Sequence, residues 1–112
     1  MTWASPRKFV VEPATRGVMP CIQAHDMDMR ECDMLRAIVL NPNAGSDDAR
    51  NIRPANPCLR GYKEPGDGTA GKNGWMLIEF WTADAEAVRR AVEHVNERFA
   101  REGAASVTTD QQ

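Results

Sequence analysis

Gly74-Trp75-Met76-Leu77-Ile78-Glu79-Phe80-Trp81-Thr82 is the stretch on which the architecture turns. Residues 75–81 are, Glu79 apart, large and apolar or aromatic, and they follow the turn-forming pair Asn73-Gly74, a pattern that predicts a strand. Side chains alternate between the two faces of a strand, so Met76, Ile78 and Phe80 share one wholly apolar face. Trp75, Leu77, Glu79 and Trp81 share the other. Two indoles beside a carboxylate suit an interface better than a sealed interior.

Downstream, Ala85, Val88, Val92, Val95 and Phe99 recur at steps of three and four and predict an amphipathic helix. Thr82 or Asp84 can cap its start, and Gly103 can end it in the left-handed conformation. Glu86 with Arg90, and Glu97 with Arg101, are spaced for ion pairs across one turn. A link of one or two residues near Thr82 returns this helix across the strand and lays the valine stripe on Met76, Ile78 and Phe80. The expected fold class is therefore α+β: a two-layer sandwich of a small, mainly antiparallel sheet with one or two helices on one face. A ferredoxin-like layout fits that order of elements.

Upstream the pattern is less regular. Residues 7–12 read as a first strand closed by Pro13, and residues 14–21 as an irregular connection. Asp28 and Glu31 have capping-box spacing, which predicts a helix over 28–36. Ala37-Ile38-Val39-Leu40 has the composition of a strand stopped by Asn41-Pro42. Residues 41–73 hold four prolines and five glycines, predicting a long loop pinned by Ile52, Leu59 and Tyr62, with a short strand at 58–62. The whole is one domain over residues 1–103, followed by a frayed tail at 104–112.

Composition excludes several classes. Fourteen Lys and Arg stand against sixteen Asp and Glu, a net charge of -2, whereas a phosphate-driven nucleic-acid binder shows a basic excess. No run approaches the ~20 apolar residues of a membrane span, and no secretory leader is visible. Three cysteines without framework spacing predict reduced thiols in a cytoplasm.

Motifs carrying chemistry are weak. Gly66-Asp67-Gly68-Thr69-Ala70-Gly71-Lys72-Asn73 approaches a phosphate-binding loop, but Asn73 replaces the hydroxyl that holds magnesium and a strand follows instead of a helix. Cys21, His25, Cys32 and Cys58 are zinc-ligand types without the paired spacing that pre-forms a site. Cys32 with His25 is the conceivable thiol and base pair of a small thiol enzyme, with no third group to orient it. His94 reads as a boundary residue beside the valine stripe. No catalytic residue and no cofactor is predicted.

The expected function is a small interaction module of regulator or inhibitor type, acting by binding a protein partner or by forming a homodimer. The alternatives are a metal-binding or small-ligand-binding domain using Cys21, His25, Cys32 and Cys58, and a small thiol enzyme. Trp75, Leu77 and Trp81 are the module's expected contact residues, with the 41–73 loop as a second surface.

Overall fold

The computed structural model describes residues 8–12, 19–66 and 71–110, with backbone alone for 103–110. The elements run β1 (Cys21–Met27), α1 (Met29–Leu35), a π-helical continuation (Arg36–Leu40), α2 (Asp47–Ile52), a 3-10 turn (Arg53–Ala55), β2 (Pro57–Lys63), β3 (Gly74–Phe80) and α3 (Ala85–Asp110). The sheet order is β1-β3-β2, with β3 antiparallel to both neighbours. β1 and β2 therefore run parallel on either side of β3 and are joined by helices, a split β-α-β unit. The fold is α+β, a three-stranded antiparallel sheet layered against three helices. The described sheet has three strands, short of the four in a ferredoxin-like layout.

The inner face of the sheet carries Ile22, Ala24 and Met27 from β1 and Met76, Ile78 and Phe80 from β3, each at most 2% exposed. They join Leu35, Ile38, Val39, Ile52, Val88, Val92, Val95 and Phe99 in one apolar core. Met76, Ile78 and Phe80 thus lie on the buried side, as the alternation predicts. On α3 the buried stripe includes Ala87, Ala91 and His94 as well as the valines, while Ala85 is exposed. Asp84 caps α3, accepting from the Glu86 and Ala87 amides, and Thr82 Oγ1 accepts from the Asp84 amide. Glu86 pairs with Arg89 rather than with Arg90, and Arg98 pairs with Glu102. The helical backbone runs past Gly103 to Asp110, into the stretch expected to fray.

Four expectations change. Residues 8–12 are not a strand: Glu12 makes one isolated bridge to Cys21, and Phe9 turns instead into the core, edge-on to Phe99 with ring centroids 4.9 Å apart. Asn96 clamps Phe9 by accepting from its amide at 2.6 Å and donating to its carbonyl at 3.0 Å. The first true strand, β1, occupies residues 21–27, between the connection expected at 14–21 and the helix expected from 28, where no element was expected. Its outward residues are polar, and a bulge inserts His25 and Asp26 opposite Trp75, with Asp26 at φ 54, so period-two alternation is lost.

The capping box of α1 is present, with the Glu31 amide donating to Asp28 and the Asp28 amide donating to Glu31. Residues 37–40, however, are helical rather than a strand. The chain continues into a π-turn closed by the Asn41 amide on the Arg36 carbonyl at 3.0 Å. Leu35, Ile38 and Val39 are spaced to bury one helical face, and that burial outweighs the strand preference of two β-branched residues. No turn separates helix from strand because there is no strand.

Residues 41–73 are not one loop. Ser46 caps α2, accepting from the Ala49 amide at 3.2 Å, and Ile52 is fully buried. The short strand at 58–62 appears as β2, one residue longer at each end. A Cβ at Gly74 would meet Pro65 Cδ at 2.9 Å and both Cys32 Sγ and the Met27 carbonyl oxygen at 3.0 Å. The start of β3 is thereby held against α1 and the 64–73 connection.

Candidate functional site

The outer face of the sheet is assembled by register. Cys21 and Cys58 flank Glu79 from the two neighbouring strands, Gln23 and Gly61 flank Leu77, and Lys63 lies opposite Trp75. A second bulge, at Leu59/Gly61, turns Arg60 and Gly61 onto this same side. Trp75 is 36% and Trp81 49% exposed, and Leu77 between them is half-buried. The three residues expected to form a contact surface share one face.

Both indoles are held in place. A Cβ at Gly61 would come within 3.1 Å of two Trp75 ring carbons, so the indole lies on the bare backbone of β2. Trp81 Nε1 donates to Glu79 Oε1 at 3.0 Å, and Arg60 Nε approaches the same oxygen at 3.3 Å. The Arg60 guanidinium stands 5.9 Å from the Trp81 ring centroid. Glu79, only 8% exposed, is therefore a buried carboxylate with one hydrogen-bond donor and one ion-pair partner, which fixes Trp81 from below. Asn56, in the left-handed conformation at φ 51, adds backbone and side-chain hydrogen bonds to Trp81. Tyr62, 53% exposed, lies opposite Met76 towards the helical layer and stacks with Arg36.

A second polar cluster joins α2 to α3. Asp48 Oδ1 lies 2.5 Å from His94 Nε2, and Asp48 Oδ2 accepts from Arg98 Nη1 at 2.5 Å. Arg98 also donates to Glu102 at 3.1 Å. His94 is 6% exposed, deeper than the boundary position expected of it. Burial alone would push the Asp48 carboxyl up, but the hydrogen bonds and charges of Arg98 and His94 outweigh it and hold Asp48 below the usual carboxylate range. Sequence analysis missed Asp48 and Arg98. His94, Arg98 and Glu102 recur every four residues beside the apolar stripe, a visible polar row, but Asp48 lies 46 residues from His94 along the chain. The cluster presents no nucleophile and works as a helix-to-helix clamp.

The cysteines do not gather. Cys21 and Cys58 sit on the outer face, separated by β3, while Cys32 is in the core under the sheet and His25 is exposed on the β1 bulge. Among the described residues no group of three or more His, Cys, Asp or Glu is placed to hold a metal ion. Burial pushes the Cys32 and Cys21 thiols up, away from the thiolate a nucleophile needs. Iodoacetamide is accordingly expected to modify half-buried Cys58 before Cys21 and Cys32 in the native protein, read by peptide mass spectrometry. Labelling of Cys32 first would restore the thiol-enzyme alternative. The phosphate-loop-like motif has its centre, 67–70, outside the described residues. Among the described residues no helix is long and apolar enough to cross a membrane. No family model, curated protein or solved structure matches this chain at a significant level.

Proposed function

We propose that this chain is a non-catalytic protein-interaction module whose outer sheet face pairs with a second copy of itself. The observation that carries the reading is that Trp75 and Trp81 are both exposed on one face and both fixed, by Gly61 and by Glu79 with Arg60. Aromatics dominate interface energetics, and a side chain already immobilised loses little entropy on binding.

A second copy fits because the face is electrostatically self-complementary. His25 and Asp26 flank Trp75 on the β1 side, and Lys63 flanks it on the β2 side. A two-fold axis along β3 places the β1 edge of one copy over the β2 edge of the other, so Asp26 faces Lys63 twice. Three strands of seven residues present only about 14 by 23 Å of sheet, well below the ~800 Å² per partner of a standard interface. The dimer is therefore weak and concentration-dependent.

Light scattering from about 10 μM to 1 mM is expected to show the mass rising from 12.4 kDa towards twice that value. The Trp75→Ala/Trp81→Ala double variant is expected to stay monomeric throughout. A wild-type chain that remains monomeric over this range, or a double variant that dimerises equally well, overturns the reading.

A further inference from the structure

We infer that the open edge of β2 accepts an extended segment of another protein in which acidic and apolar residues alternate. β2 pairs with β3 on one side, and among the described residues no strand pairs with its other edge. Every residue of β2 is half-buried or exposed. An edge strand of this kind presents outward amides and carbonyls, the template for strand addition.

Charge selects the occupant. Pro57–Lys63 contains two charged residues, Arg60 and Lys63, and both are basic. Among the described residues, two acids beside β2 are already engaged: Glu79 lies against Arg60 Nε at 3.3 Å and Glu64 against Arg36 at 3.9 Å. Arg60 meets Glu79 with Nε at 3.3 Å and is itself exposed, and a guanidinium has five N–H donors, so it can serve a second carboxylate as well. The Leu59/Gly61 bulge keeps Arg60 on the outer face with Lys63, while Leu59 and Tyr62 fall on the inner side. A strand added here aligns its outward side chains with two cations and its inward ones with a leucine and a tyrosine. Acid and apolar must therefore alternate.

The same residues bar a second copy from this edge. An antiparallel pair of β2 strands brings Arg60 and Lys63 of each copy within a residue or two of those of the other, which is repulsive. The face-to-face dimer leaves the backbone edge of β2 open but engages Lys63, so the peptide is titrated at about 1 μM chain, where the weak dimer has dissociated.

A fluorescein-labelled nonapeptide alternating valine and glutamate tests it by fluorescence anisotropy. Saturable binding is expected, with none for the valine/lysine counterpart. An analogue with alternate amides N-methylated on one edge is expected not to bind. Lys63→Glu, an exposed change, is expected to weaken the acidic peptide about five- to tenfold. Asp26→Asn, on the opposite strand of the sheet, is expected to bind the peptide as wild type does, which separates this edge from the dimer contact. No binding of the acidic peptide at millimolar concentration, equal binding of the lysine or N-methylated peptide, an unchanged affinity in Lys63→Glu, or loss of binding in Asp26→Asn overturns the proposal.

Discussion

Phe99→Ala is expected to lower the unfolding free energy by about 3–5 kcal/mol, the range for emptying a buried aromatic site. Phe99 is fully buried in the last described turn of side chains on α3 and meets the Phe9 ring edge-on at 84°. Its loss removes transfer energy, leaves a cavity that a strand and a helix cannot both close, and deprives Phe9 of its contact. Asn96 would still hold the Phe9 backbone but no longer a packed ring. For a small domain this is a third or more of total stability. Urea unfolding followed by tryptophan fluorescence measures it, and a loss below about 1 kcal/mol would mean that the N-terminal segment contributes little to the core.

Asp48→Ala is expected to rank second, at about 3 kcal/mol, because it strands buried His94 and half-buried Arg98 without their shared acceptor. The clamp also makes stability depend on pH in a fixed direction. Asp48 loses its proton more readily in the folded chain than its ordinary value of 3.8 implies, so folding favours the ionised form. That contribution is complete above the ordinary value and is lost as pH falls through the lower folded value. The advantage of wild type over Asp48→Asn is therefore expected to shrink between about pH 5 and pH 2. Urea midpoints at stepped pH values read it directly. A gap that widens between about pH 5 and pH 2 would contradict the charge clamp.

Legibility followed the range of the interactions involved. The capping box at Asp28 and Glu31, the strand at 74–80 and the stripe through Val88, Val92, Val95 and Phe99 each rest on residues within a few positions of one another. The face holding Trp75, Leu77 and Trp81 followed from strand alternation alone. β1 was hidden because an exposed edge strand with a bulge has no clean alternation. The π-turn at Arg36–Leu40 was hidden because its β-branched composition imitates a strand until burial is known. α2 was masked by the proline- and glycine-rich stretch around it, although Ser46 with Asp47 and Asp48 is a helix start.

From its residues alone this chain determined two amphipathic layers: a central strand with one greasy and one aromatic face, and a valine-lined helix to cover the first. Those are periodicities of 2 and 3.6, local properties that any folded context must respect. Tertiary structure alone decided which distant groups meet: Asp48 with His94 and Arg98, Phe9 with Asn96 and Phe99, Arg60 with Glu79 and Trp81. Such pairs depend on strand order and bulge register, which are set by how the whole core closes and leave no spacing rule in the sequence.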